Sequence, residues 1–164
     1  MPDFEYAFKE GVVPHGPDSA LRITLEDPME SIANSPEATA KAFLRAINRQ
    51  DVDALVALMS PGHRFVDSLG NVMTGREKMR DGWIAYFRMV PDYTVAIEEV
   101  FVSGPVVVML GVAQGTYSSN GELRTENRWQ TPLAVRAFVD EGQVAEWRVY
   151  ADNEPIRRLM AKAG

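Results

Sequence analysis

Residues 65–79, FVDSLGNVMTGREKM, carry the reading that decides the fold. Phe65 and Val66 close a short strand, HRFVD, and Leu69 adds an apolar residue just beyond it. Gly70-Asn71 then marks a turn, because Gly and Asn tolerate the left-handed backbone that tight reversals need. Thr74-Gly75-Arg76-Glu77 leads into a helix with Met79, Trp83, Tyr86 and Phe87 at helical spacing. Pro91-Asp92 ends that helix.

On the N-terminal side the stretch is preceded by two helices. Ser35-Pro36-Glu37 supplies an N-cap with proline at the first helical position. Ala38, Ala42, Phe43, Ala46 and Ile47 make an amphipathic helix over 36–50. Asp51 caps a second, shorter helix carrying Leu55, Leu58 and Met59, which Ser60-Pro61-Gly62 is expected to stop. Residues 1–34 differ, with four of the ten prolines (Pro2, Pro14, Pro17 and Pro28) and one alternating run, LRITL at 21–25. They read as an N-terminal arm packed on the body at 35–164 or on a second subunit.

On the C-terminal side the pattern changes to strands, at 93–102, 105–117, 124–139 and 143–151. Ser103-Gly104, Ser119-Asn120-Gly121 and Asp140-Glu141-Gly142 divide them, as in an antiparallel meander with hairpin turns. Asp152-Asn153-Glu154-Pro155 opens a last helix bearing Ile156, Leu159 and Met160. Helices first and strands afterwards make an α+β domain. A curved antiparallel sheet with three N-terminal helices on one side leaves an apolar concavity, where small ligands bind.

Composition narrows the function classes. The 164 residues are 46% hydrophobic and 24% charged, enough for one globular domain with a real core. A net charge of −6 opposes binding to nucleic acid or to anionic membranes. No apolar run approaches the roughly 20 residues of a membrane span. With no cysteine there is neither disulfide nor thiolate chemistry, which fits a reducing cytoplasm. The acidic N-terminus, MPDFEYAFKEG, lacks the basic and apolar regions of a secretory signal, so a cytoplasmic location is expected. His15 and His63 are isolated, no metal-ligand spacing occurs, and the turn glycines form no phosphate loop. No metal or cofactor is expected.

The order helix-helix-strand-helix-four strands resembles the cone-shaped fold of nuclear transport factor two, ketosteroid isomerases and SnoaL-like polyketide cyclases. The phrases that carry the resemblance are FLRAINRQDVDALVALMSP (43–61), FVDSLGNVMTGREKM (65–79), MVPDYTVAIEEVFVSGPVVVMLGVAQGTYS (89–118) and VDEGQVAEWRVYAD (139–152). Together they cover about 35–160. The resemblance places Asp67 where the isomerases keep their general base. A carboxylate beside a dry pocket is poorly solvated, so its pKa is expected to rise into a useful range. Alternatively, Asp67 accepts backbone N–H groups in a turn around Ser68-Leu69-Gly70.

The same resemblance matches Phe43 to the isomerases' oxyanion-binding tyrosine and Ala134 to their protonated aspartic acid. Neither can donate a hydrogen bond, so true ketosteroid isomerisation is not expected. Epoxide hydrolysis is excluded likewise, because Trp147-Arg148-Val149 has Val149 where that branch needs an acid. The acid/base aspartate of SnoaL-like cyclases has its nearest match in Asp152, which also reads, with Asn153, as a cap of the last helix.

Parity with Ala134 turns Arg128 and Gln130 inward, where an arginine would bind a carboxylate or enolate oxygen. The opposite reading leaves them solvated on an edge or dimer surface. Trp83, Tyr86, Met109, Trp147 and Val149 are expected as pocket wall, and Tyr117 as a further polar partner. The implied function is a small-molecule isomerase, cyclase or dehydratase that transfers a proton on a hydrophobic carbonyl compound. The alternative is a non-catalytic ligand-binding or dimerisation module. A homodimer is expected through the convex sheet face, with Val106, Val108 and Leu133 supplying apolar area.

Overall fold

Helix α1, Pro36–Arg49, begins where its cap predicts. The Ser35 hydroxyl accepts the Ala38 N–H at 3.2 Å, and Gln50 ends the helix in the left-handed region at φ 55°. Asp51 accepts the Ala54 N–H at 3.0 Å and starts α2, Val52–Leu58. Strands β1, Met59–Val66, and β2, Val72–Thr74, precede α3, Arg76–Met89. Then follow β3, Thr94–Ser103, β4, Val106–Thr116, β5, Arg128–Asp140, β6, Gln143–Ala151, and α4, Glu154–Ala163. The computed structural model describes residues 35–163. The expected arm at 1–34, with LRITL and His15, lies outside the described residues.

The six strands form one curved sheet in the order β2-β1-β6-β5-β4-β3. The meander β3-β4-β5-β6 is antiparallel as expected, whereas β1 joins β6 in parallel, so the sheet is mixed. The architecture is the α+β cone anticipated from the element order, with α1 and α3 against the sheet and α2 packed on those two helices.

Two boundaries differ from expectation. Ser60-Pro61-Gly62 does not stop the chain between elements but lies inside β1. Its pairing with β6 shifts register between Met59 and Arg64, so Pro61, which has no N–H to give, sits in the irregular stretch. Residues 124–127 do not extend β5; Thr125–Asn127 form a short 3₁₀ turn instead.

Alternation along β5 sets the inner face. Trp129, Thr131, Leu133, Val135, Ala137 and Val139 are buried, with their neighbours half-buried or exposed. Register pairs Leu133 with Gly111 and Val135 with Met109, so these residues face inward too. Leu133 is thus an inner-face residue, correcting its expected place on the convex face. Val106 and Val108 do lie on the outer parity. Gly111 permits the bend: a Cβ there would stand 2.0 Å from the Ala96 carbonyl oxygen, beside the irregularity of β3 at Ile97/Glu99.

Two polar clamps tie helices to the sheet. The Asn48 amide donates to the Val95 carbonyl and accepts its N–H, both at 2.9 Å. Arg76, opening α3, donates through Nε at 2.8 Å and through Nη2 to the Met59 carbonyl.

Candidate functional site

Between α1, α3 and the concave sheet lies a cavity of about 280 Å³. Its wall is mainly apolar. Leu44 and Ile47 come from α1, Met79 and Trp83 from α3, Val95 from β3, Ala113 from β4, and Leu133 and Val135 from β5. Polar groups enter at few places: Asp67 and Ser68 after β1, Tyr86 on α3, Tyr93 before β3, Thr131 on β5 and Asn153 before α4.

Six aromatic residues line this space. Phe65 meets Trp83 edge-on at 6.2 Å between ring centroids, with 71° between planes. Trp83 meets Tyr86 at 6.2 Å and 84°, and Tyr86 meets Tyr93 at 5.0 Å and 85°. Tyr93 lies against Trp129 at 6.1 Å and 30°. Trp147 is the sixth. Trp83 and Trp129 keep buried indole N–H groups without an acceptor among the described residues.

Burial pushes the Tyr93 hydroxyl up to about 12. It raises the Tyr86 hydroxyl further, and the neighbouring Tyr93 adds to the rise. Both therefore stay protonated, as hydrogen-bond donors, at any physiological pH.

Asp67 lies on the cavity wall, and its carboxylate is bound by its own turn. Oδ1 accepts the Leu69 N–H at 2.9 Å and the Asn71 N–H at 2.8 Å, and Oδ2 accepts the Asn71 side-chain amide at 2.8 Å. The Gly70 N–H closes the reversal on the Asp67 carbonyl at 3.0 Å. The rise in pKa expected from a dry pocket does not occur. Partial burial pushes the group up, but the hydrogen bonds from Asn71, Leu69 and Gly70 together outweigh it and hold the carboxyl below its ordinary value. The turn reading is correct in its geometry, and the residue still borders the cavity.

Of the other expected site residues, Trp83, Tyr86, Trp147 and Val149 stand on the wall. Phe43 and Met109 are fully buried behind it, with Phe43 packed on Trp147 at 4.6 Å. The inward parity assigned to Arg128, Gln130 and Ala134 is off by one residue. Arg128 and Gln130 are exposed and border a separate polar depression with Asp92 and Gln114, and half-buried Ala134 is absent from the cavity wall. Tyr117 is half-buried beyond the end of β4, off the wall, with its N–H on the Asn127 carbonyl at 3.0 Å. Asp152 is exposed and accepts the Glu154 N–H at 2.9 Å, a capping role at the start of α4. Its neighbour Asn153 reaches the cavity mouth and donates to the Ser68 hydroxyl at 2.7 Å.

Phe65, Tyr93 and Trp129 are the aromatic wall residues that sequence reading missed. The signal for Trp129 is present: the odd-numbered residues from 129 to 139, Trp, Thr, Leu, Val, Ala and Val, are all apolar or small. Tyr93 sits just after a Pro-Asp turn, where no periodicity marks its direction.

His63, buried, hydrogen-bonds the Val144 carbonyl through Nδ1 at 2.7 Å and stands away from the cavity wall. Among the described residues no three His, Asp or Glu side chains gather as metal ligands, and no helix is long and apolar enough to cross a membrane.

The sequence pattern of the SnoaL-like domain family matches residues 40–147. A search of curated proteins finds no sequence that matches the chain. Solved structures of similar shape include a proposed SnoaL-like polyketide cyclase from Shewanella denitrificans OS-217. It is 16% identical, with TM-score 0.67 over 77% of this chain and 97% of that one. IdmH, a proposed polyketide cyclase from Streptomyces antibioticus, is 20% identical, with TM-score 0.64 over 77% and 99%. A protein from Catenulispora acidiphila DSM 44928 with a ketosteroid isomerase-like fold, in complex with trimethylamine, is 20% identical, with TM-score 0.59 over 68% and 83%.

Proposed function

Because the chain belongs to the SnoaL-like domain family, we propose that it is an enzyme that transfers a proton on a small apolar carbonyl compound held in the cone. The observation that carries this reading is the composition of the cavity lining: an ionised carboxylate, Asp67, and two protonated phenols, Tyr86 and Tyr93, in a mainly apolar cavity. Asp67 takes a proton from the carbon next to the carbonyl. A tyrosine hydroxyl donates to the oxygen as it becomes an enolate, supplying the partner that Phe43 and Ala134 lack. The proton then returns to carbon at a new or the same position.

Size supports a compact substrate. An apolar cavity of about 150 Å³ accepts benzene, so about 280 Å³ suits a compound of one or two rings.

Exchange of α-hydrogens in deuterated water tests the chemistry directly. A panel of small cyclic ketones is followed by proton NMR with the unaltered chain and with Asp67→Asn. Accelerated exchange that Asp67→Asn abolishes is expected. Binding of the same ketones without any exchange would overturn the catalytic reading. It would leave a ligand-binding module, a role favoured by the way the turn donors occupy both Asp67 oxygens. Two copies pairing through the convex face is the assembly we propose, and sedimentation that gives only monomer would contradict it.

A further inference from the structure

The charges on the cavity wall are lopsided. Among the described lining residues Asp67 is the one that carries a charge at neutral pH; no lysine, arginine or histidine joins it. Six of the lining side chains are aromatic rings, interspersed with aliphatic ones. Trp83 and Tyr86 stand nearly square to each other, as do Tyr86 and Tyr93, while Trp129 lies alongside Tyr93 and Phe65 meets Trp83 edge-on. Three of these pairs meet nearly at right angles and the fourth, Tyr93 with Trp129, is closer to parallel. Ring faces are electron-rich, and a cavity lined by several rings attracts a diffuse, weakly hydrated cation more than it attracts a neutral group of the same shape.

Asp67 fits this chemistry as well. Its turn donors hold it ionised, which makes it a fixed negative charge at the mouth. Phe65, two residues earlier, starts the aromatic run that leads inward.

We propose that the ligand of the cone carries a tertiary or quaternary alkylammonium group, seated against Phe65, Trp83, Tyr86, Tyr93 and Trp129 with Asp67 as counter-charge. The inference rests on the proposed function only in taking the cone as the ligand site. It requires no proton transfer.

A pair of probes of equal shape separates charge from size: benzyltrimethylammonium and its neutral carbon counterpart, neopentylbenzene. Each is titrated into the full chain and followed by tryptophan fluorescence and by thermal shift. The cation is expected to bind about tenfold more tightly than the neutral probe. Asp67→Asn keeps a side-chain oxygen for the turn and removes the charge, so it should narrow that gap by weakening the cation more than neopentylbenzene. Trp129→Phe, which keeps an aromatic wall of smaller attraction, should narrow it too. Equal or tighter binding of neopentylbenzene to the unaltered chain would overturn the ammonium inference and leave the cone as an apolar ligand site. Binding of neither probe would overturn the ammonium inference as well, and the ketone panel then decides the proposed function separately.

Discussion

Asn71 holds Asp67 twice, through its backbone N–H on Oδ1 and its side-chain amide on Oδ2, each at 2.8 Å. The pair turns an acidic residue at a strand end into the organiser of the β1–β2 reversal. It also fixes a negative charge beside an aromatic cavity.

Replacing Asp67 with alanine removes three accepted hydrogen bonds in a solvent-facing turn, at a cost of about 1–2 kcal/mol. The sign of its pH dependence follows from the depressed pKa. The unfolded chain protonates Asp67 near its ordinary 3.8, and the folded chain protonates it only at lower pH. The stabilisation is therefore complete above the ordinary value and is lost as pH falls through the folded one. Urea denaturation of the unaltered chain and of Asp67→Ala should give curves that converge as the solution becomes acidic.

His63 gives a pH dependence of the same sign, in a higher pH window. Burial holds the imidazole below its ordinary 6.5; the Val144 hydrogen bond and Glu146 work upward, and Arg76 works downward. The neutral ring is thus the form that folding favours. Stability is complete above the unfolded value and declines as pH falls below it toward the folded one. In His63→Leu this decline should flatten. The variant also loses about 1 kcal/mol at neutral pH from the unpaired Val144 carbonyl. Urea midpoints compared at about pH 8 and about pH 5 measure both effects.

Gly111 has no room for a side chain. A methyl group in Gly111→Ala would press on the backbone of β3, with the Ala96 oxygen at 2.0 Å and the Ile97 Cα at 3.0 Å. Neither neighbour is a flexible side-chain end, so the sheet itself must move. A loss of about 3 kcal/mol or more is expected, at or beyond the top of the usual range for overpacking. Thermal unfolding checks it.

Tyr86 and Tyr93 should be separable from stability. Their hydroxyls have no hydrogen-bond partner among the described residues, so Tyr86→Phe and Tyr93→Phe are each expected to alter stability by no more than about 0.5 kcal/mol. Either change should slow ketone α-exchange if its hydroxyl receives the developing enolate. In the unaltered chain the ultraviolet phenolate signal of Tyr93 should rise only near pH 12.

Much of the fold was legible because its signals are local. Ser35-Pro36 and Asp51 announce two helix starts, and the hairpin breaks at Ser103-Gly104 and Asp140-Glu141-Gly142 fall where the strands turn. The start of β1 was not legible. Pro61 and Gly62 read as a stop, and only the parallel pairing with β6, a contact distant in sequence, makes them part of a strand. The site was legible in its walls and not in its polar partners. A one-residue error of parity on β5 moves every side chain to the other face. Anchoring that strand on Ala134 therefore turned Arg128 and Gln130 inward and hid Trp129. Asp67 could be placed at the cavity from the sequence, but its charge state depends on the Asn71 amide four residues on.

The central claim is that ligands enter the cone rather than settle on the convex face. A nitrogen-15 NMR titration with benzyltrimethylammonium tests it most directly, because the three indole N–H signals of the chain come from Trp83, Trp129 and Trp147, all on the cavity wall. With the ligand in the cone, these signals and the backbone signals of Asp67 and Asn153 shift together while Val108, Arg136 and Tyr150 stay in place. Shifts confined to Val108, Arg136 and Tyr150, with all three indoles unmoved, would contradict it.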